Sequence, residues 1–354
     1  MRSAQPTFED DVGVRAFSCP SCGRLVTFES SHCLHCEQEL GFDWDARQIV
    51  AMLRPHRRCA NAPIAGCHGL VLDDGAQCAS CAMTRTRPAD GDRGGLDGFA
   101  RAEAAKRRLL FELAELGLNV VSWREQEGGL AFDLLSSAQA PVTTGHANGV
   151  ITLDLNETDS VEREVRRQQL DEPYRTVLGH LRHEIAHYYQ PILAPEGTPA
   201  REECRRVFGD DREDYQQAID RHYGEGPPDE WELRFVSAYA TMHPWEDWAE
   251  TFAHYLHIRD TLQTAEAYGL RVDGPQVATT DPSPLFSDPR VPARDLDGLL
   301  QAWLPLTYAL NAINRSMGAE DLYPFVLPPV VQRKLAFIDG CVRAASATGP
   351  REHS

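Results

Sequence analysis

The stretch VLGHLRHEIAHYYQ (177–190) has the residue types and the spacing of a metal-binding helix. His183, Glu184 and His187 form the pattern HExxH. Two residues four positions apart on an α-helix differ by only about 40° around its axis, so both imidazoles can bind one zinc ion while the glutamate acts as general base. His180 lies on the same face, but we expect it to support the site, because the other two histidines place a carboxylate beside the metal.

A hydrolytic zinc ion needs a third protein ligand and one open position for water. The stretch SAYATMHPWEDWAETFAHYLHI (237–258) contains the candidates, because Pro244 fits the first turn of a helix and acidic residues suit its positive N-terminal end. Glu246 and Glu250 share one stripe of this helix, and small Ala249 and Ala253 would allow a close approach to the histidine helix. The expected core stripe consists of Trp245, Trp248, Phe252 and Leu256.

Eight of the ten cysteines lie in the N-terminal part of the chain. Two CxxC pairs separated by ten residues present four thiolates to one structural zinc ion, on Cys19, Cys22, Cys33 and Cys36. A second group contains one CxxC pair and predicts a second structural zinc ion, on Cys59, Cys67, Cys78 and Cys81. His68 is an alternative ligand for one cysteine of the second group.

Composition restricts the classes of partner. The chain has 354 residues and a net charge of −18, which argues against a nucleic acid bound through its phosphates. No apolar run is long enough to cross a membrane, and the first residues lack the apolar core of a signal peptide. The sequence therefore predicts a cytoplasmic protein with no nucleic-acid or membrane partner, and a zinc ribbon that could bind a protein partner.

The pattern of elements predicts an α+β protein. We expect a disordered tail (1–16), a zinc-ribbon module (17–84), a linker rich in Gly, Asp and Pro (85–98), a mainly helical domain with a small sheet (99–345) and a second disordered tail (346–354). Helices are predicted from Phe99 to about Leu116, from Pro173, from Pro244, and near residues 296–317 and 329–345. Strands are predicted near 129–136 and 149–156, the second preceded by a turn at GHANG, and residues 272–295 are predicted to form an extended loop.

HEIAHYY followed by SAYATMHPWEDWAETFAHYLH resembles the gluzincin metallopeptidases, whose third zinc ligand is a glutamate on a later helix. The resemblance implies that Glu246 is this ligand and that Glu250, one turn later, orients a ligand histidine. It also implies that Tyr239 stabilises the oxyanion. His243 is a weaker candidate for that role, and like Glu250 and His180 it is expected to support the ligands.

Nearly the whole chain, including YPFVLPPVVQRKLAFI near its end, resembles a bacterial family of zinc-binding metallopeptidases with an N-terminal zinc ribbon. The resemblance implies a double zinc-ribbon module followed by a zincin-like metallopeptidase domain. The chain differs from compact gluzincins in the long gap between His187 and Glu246. The insert FGDDREDYQQAIDRHYGEGPPDEW (208–231) could shape or cover the cleft.

The main hypothesis is a zinc metallohydrolase that cleaves peptide or isopeptide bonds in a peptide or protein substrate. It would hold one catalytic zinc ion on His183, His187 and Glu246 and two structural zinc ions, with Glu184 as general base. Two alternatives remain on the sequence alone. One is a non-catalytic zinc-ribbon adaptor, and the other is a zinc amidase that acts on a non-protein amide.

Overall fold

The computed structural model describes residues 16–138, 140–158, 176–274, 286–291 and 293–348. Most of the predicted N-terminal tail, Pro173 and the last six residues lie outside this part of the chain. The C-terminal helix continues to Thr348, so the first three residues of the predicted second tail are helical instead. No helix within the described ranges combines the length and the apolar character that crossing a membrane requires.

The N-terminal region consists of short antiparallel strand pairs and single helical turns around the two cysteine groups. Its small core combines phenylalanines with aliphatic side chains, and the ring centroid of Phe28 lies 4.9 Å from that of Phe111, which belongs to the following domain. The elements are β1 (Phe17–Ser18) with β2 (Leu25–Val26), β3 (Leu40–Asp43) with β4 (Gln48–Ala51), β5 (Arg57–Arg58) with β6 (Leu70–Val71), α1 (Ala62–Ala65) and α2 (Ala79–Ala82).

The downstream domain is mainly helical and contains small sheets. Its strands are β7 (Thr84–Thr86), β8 (Ala131–Leu135), β9 (Gly145–Ala147), β10 (Val150–Asp154), β11 (Val272–Asp273) and β12 (Phe286–Ser287). Its helices are α3 (Arg93–Glu115), α4 (Val177–Leu193), α5 (Pro199–Phe208), α6 (Tyr215–Glu225), α7 (Pro244–Ala267), α8 (Leu296–Ser316) and α9 (Pro329–Thr348).

The largest sheet has the strand order β7-β8-β10-β9, with β8 parallel to both β7 and β10, and β9 antiparallel to β10. Ile151 and Leu153 of β10 are fully buried and Thr152 between them is half-buried, as the predicted alternation requires, but Asp154, predicted for the polar face, is also buried. The predicted turn GHANG is only half correct, because its first three residues form β9. The predicted loop 272–295 contains the short pair β11 and β12, with residues 275–285 and 292 outside the described part.

The prediction of a linker at 85–98 was wrong. Thr84–Thr86 pairs with β8, and the Arg85 guanidinium donates to the Asp133 carboxylate, Nε to Oδ1 at 3.0 Å. The helix then begins at Arg93, six residues before the predicted start, because the Asp92 side chain caps it by accepting from the Gly95 backbone nitrogen at 2.8 Å. A Gly- and Asp-rich segment can thus be a strand followed by a helix N-cap.

The α3 helix confirms the predicted apolar stripe. Its four leucines at helical spacing are buried in the main core, and the helix ends just before Gly117, which has a φ of +67°. The buried stripe packs α3 against α4, and the Arg182 guanidinium of α4 donates to Glu112 of α3 at 3.1 Å. The buried leucines are Leu109, Leu110, Leu113 and Leu116.

Lys106 and Lys334 are the only lysines in the chain, and both are buried in ion pairs. The Lys334 ammonium lies 2.6 Å from Oδ2 of Asp247 near the start of α7, and it also donates to the Arg234 carbonyl at 2.7 Å. The Asp247 side chain is 1% exposed, so this pair joins α9 to α7 out of contact with water.

We expect Lys334→Met to destabilise the protein by about 3 kcal/mol, because it leaves the buried Asp247 carboxylate without its counter-charge. Urea unfolding at neutral pH measures the change. Arg315→Met is the control: this arginine is exposed and its partner Asp321 is only half-buried, and we expect a loss below about 1 kcal/mol. Equal effects of the two substitutions would contradict the prediction.

Candidate metal centre

Three side chains from two helices place one donor atom each around a common point. The Nε2 atoms of His183 and His187 lie 3.2 Å apart, and Oε2 of Glu246 lies 3.0 Å from the first and 3.5 Å from the second. A tetrahedron with metal–ligand bonds of about 2.1 Å has edges of about 3.4 Å. Two imidazoles and one carboxylate at these separations therefore fit Zn²⁺, with a fourth position left for water.

The packing of α4 against α7 brings these donors together. Ile185 and Ala186 of α4 and Trp248 and Ala249 of α7 are all fully buried between the helices. The Trp248 indole nitrogen donates to the Ala186 carbonyl at 2.9 Å, which holds the two helices close beside HExxH. The small side chain of Ala249 permits this approach, as the sequence predicted.

The geometry distinguishes the two candidate glutamates. Glu250 Oε1 contacts Nδ1 of His183 at 2.7 Å, which is the ring nitrogen on the far side from the common point. Its other oxygen accepts from the Ser237 hydroxyl at 2.6 Å. Glu246 is thus placed to bind a metal, and Glu250 is placed to orient a metal-binding histidine.

The charges around His183 favour a cation at this point. Burial disfavours the imidazolium form, but the carboxylates of Glu246 and Glu250 outweigh burial and hold the pKa of His183 well above its ordinary value. The pKa of Glu246 is lowered despite burial, through contact with both histidines, and the pKa of Glu250 is lowered to about 2. Both glutamates are therefore ionised at neutral pH, which suits a divalent metal ion.

Two of the other predicted site residues, Glu184 and Tyr239, lie near the three donors, and His180 does not join them. Glu184 is buried on α4 between the two histidines. The Tyr239 ring lies 5.9 Å from the His183 ring, and burial, followed by the charge of Glu246, raises the pKa of Tyr239. His180 is half-buried and does not belong to the group of three donors.

His243 does not have the predicted role of an oxyanion donor. It caps α7, where its Nδ1 accepts from the Trp245 backbone nitrogen at 3.1 Å. Because Nδ1 accepts, Nε2 carries the proton, and this Nε2 contacts the Glu213 carbonyl at 3.2 Å. Both ring nitrogens are therefore used within the protein, and His243 ties the insert to the start of α7.

Sequence reasoning missed three aromatic residues at the centre. Trp245 was predicted to lie in the core, but it is half-buried, and its ring centroid lies 3.9 Å from that of His187. Tyr215, at the start of α6 in the insert, donates its hydroxyl to Glu246 Oε1 at 2.9 Å. His146 of β9 has its ring 6.4 Å from His187 and stacked with it. Burial lowers the pKa of His146 to about 4, so this ring is neutral.

The eight N-terminal cysteines form two separate groups of four. Four thiolates bound to one ion at about 2.3 Å have sulfur–sulfur distances of about 3.8 Å. The observed sulfur distances are 3.7 Å for Cys19 to Cys36, 3.7 Å for Cys22 to Cys33, and 3.6 Å for Cys67 to Cys78. His68 belongs to neither group and packs edge-on against Phe28. Both groups therefore fit zinc bound by cysteine alone.

Comparison with known proteins agrees with this division of the chain. Residues 95–341 match the model of a family described as "putative zinc-binding metallo-peptidase", and residues 16–92 match a zinc-ribbon domain. An uncharacterized protein of Mycobacterium bovis and one of Mycobacterium tuberculosis are each 50% identical over 347 residues, which is 96% of this chain and 99% of theirs. No solved structure matches significantly. The chain thus belongs to this zinc-binding metallo-peptidase family and has an N-terminal zinc-ribbon domain.

Proposed function

We propose that this protein is a gluzincin-like zinc hydrolase that cleaves peptide or isopeptide bonds. The observation that carries the proposal is the convergence of His183, His187 and Glu246 at the edge lengths of a zinc tetrahedron, with the carboxylate of Glu184 on the same helix. A general base beside a three-ligand metal with an open position is the arrangement that hydrolysis of an amide requires.

Each residue has a defined role in this proposal. Zinc, when bound, supplies a water molecule whose pKa is lowered toward about 7. Glu184 accepts the proton of the attacking water and passes it to the leaving amine. Tyr239 keeps its own proton, because burial raises its pKa, and its hydroxyl donates to the oxyanion. Glu250, held by Ser237, fixes the orientation of His183.

The sheet beside the metal centre supports a peptide as substrate. The β9 strand pairs with β10 on one side, and no other described strand pairs with its second side. His146 projects from β9 to within 6.4 Å of His187 and 6.3 Å of Tyr188, measured between ring centroids. An extended substrate could add to this free edge through backbone hydrogen bonds and pass beside the metal. Such an edge favours a peptide over a compact non-protein amide.

The proposal assigns one catalytic and two structural zinc ions to the chain. We expect three zinc ions per chain, with mild chelation removing only the one on the His–His–Glu site and stopping cleavage of a random peptide library. The cysteine sites should keep their metal, because four thiolates bind zinc more tightly and no open position exposes the ion. Metal analysis before and after dialysis, with activity restored by added Zn²⁺, is the measurement.

Two outcomes of this experiment would contradict the proposal. Two zinc ions per chain, or cleavage that continues after the third ion has been removed, would exclude a catalytic role for the site. The first outcome would instead favour a zinc-ribbon adaptor.

A further inference from the structure

The long insert between HExxH and Glu246 contributes a side chain to the metal centre. Tyr215 is the first residue of α6, and its hydroxyl donates to Oε1 of Glu246 at 2.9 Å. The Asp214 side chain caps α6 by accepting from the Gln217 backbone nitrogen at 2.9 Å, which fixes the position of the neighbouring tyrosine. The hydroxyl therefore reaches the site from a capped helix end.

Several contacts hold Tyr215 in this place. Its ring centroid lies 5.3 Å from His243 and 5.7 Å from Trp245, both with edge-to-face geometry. The bond from His243 to the Glu213 carbonyl joins the residues just before α6 to the N-terminus of α7, which also carries Glu246. The insert and α7 are thus held together next to the hydrogen bond between Tyr215 and Glu246.

The two oxygens of Glu246 have different partners. Oε2 faces the Nε2 atoms of His183 and His187 at 3.0 and 3.5 Å, and Oε1 accepts from Tyr215. A carboxylate whose second oxygen is held by a donor binds a metal through one oxygen, because turning it to a two-oxygen mode breaks the hydrogen bond. One-oxygen binding keeps the fourth position of a tetrahedral ion open.

We propose that Tyr215 is a positioning residue that holds Glu246 as a one-oxygen metal ligand, so that the insert is part of the metal centre. This inference rests on the metal site of the proposed function. In this proposal the insert positions a metal ligand and does not only cover the cleft. It also adds Tyr215 to the metal centre, although the sequence pattern of HExxH and a later glutamate does not include this residue.

The test compares Tyr215→Phe with Tyr223→Phe in the full-length protein with both cysteine sites loaded. Tyr223 is an exposed tyrosine on the same helix. The affinity of the third site for Zn²⁺ is measured by competition with a chelator, and the coordination is followed by the visible absorption of Co²⁺ bound there. We expect Tyr215→Phe to weaken zinc binding about 10-fold and to change the Co²⁺ spectrum, and Tyr223→Phe to do neither.

The substitution to phenylalanine keeps the ring that packs on His243 and Trp245, so a folded variant is expected, and thermal unfolding of the metal-depleted protein checks this. Wild-type zinc affinity and an unchanged Co²⁺ spectrum in Tyr215→Phe would overturn the proposal. Equal losses in both variants would also overturn it, because the cause would then be the helix and not the hydroxyl. Metal binding can be measured without peptide cleavage. If the wild-type protein cleaved no peptide, the proposed function would be contradicted, but the zinc affinity and the Co²⁺ spectrum would still decide the role of Tyr215.

Discussion

Glu184→Gln is expected to lower the rate of peptide cleavage by about 10²- to 10⁴-fold while the protein keeps its third zinc ion. The glutamine has the same shape but cannot accept the proton of the attacking water. The metal remains because its three donors belong to His183, His187 and Glu246, none of which is altered. Initial rates on a peptide library, together with metal analysis of the same sample, measure both parts of the prediction.

The matched control is Glu202→Gln, which neutralises an exposed glutamate on α5. It should leave turnover and zinc content unchanged. Full activity in Glu184→Gln would exclude this residue as the general base. Loss of the third zinc ion in that variant would indicate that Glu184 supports the metal site and would remove the basis for assigning it a proton-transfer role.

Cys78→Ala is expected to unfold the junction between the zinc ribbon and the helical domain. Structural zinc binding contributes about 10–16 kcal/mol in small zinc domains, which is comparable with the whole stability of a protein. All four cysteines of this second group are buried, and the Cys81 thiol contacts the Glu103 carboxylate of α3 at 3.5 Å. Strand β7 begins three residues after Cys81, so loss of this zinc ion also releases a strand of the main sheet.

Cys22→Ala in the first group provides the comparison. Cys22 and Cys36 are exposed, and the first group lies farther along the chain from β7. Both variants should lose one zinc ion. Cys22→Ala can affect the helical domain only through contacts such as that of Phe28 with Phe111, so Cys78→Ala should lower the melting temperature of the helical domain further, and it alone should lower the zinc affinity of the His–His–Glu site. A melting temperature of the helical domain in Cys78→Ala no lower than in Cys22→Ala would contradict a structural coupling through β7.

The local parts of the site were predictable from the sequence. The spacing within HExxH places His183 and His187 on one face of any helix that contains them, and CxxC pairs place thiolates at one ion. The apolar stripe of α3 and its end at Gly117 follow equally from helical periodicity. These features depend on residues within a few positions of each other, where backbone geometry alone sets the distances.

The linker prediction was wrong because the same local composition is compatible with a linker and with a strand followed by a helix cap. The segment after Cys81 is rich in Gly, Asp and Pro, as many linkers are. Its first residues became a strand because β8 was available to pair with them, and Asp92 became a helix cap. Pairing with a distant strand depends on the tertiary structure, and the amino acids of the segment itself do not indicate it.

The sequence by itself determined which helix carries two imidazoles and a carboxylate, and which cysteines can form two groups of four. The resemblance to gluzincins already implied Glu246 as the ligand, and the tertiary structure gave its geometry, with Oε2 facing both Nε2 atoms. Only the tertiary structure decided that His243 caps a helix. It alone placed Tyr215 and His146 beside the site. The reason is physical, because these contacts join segments separated by tens of residues, and their distances follow from how α4, α6, α7 and β9 pack together.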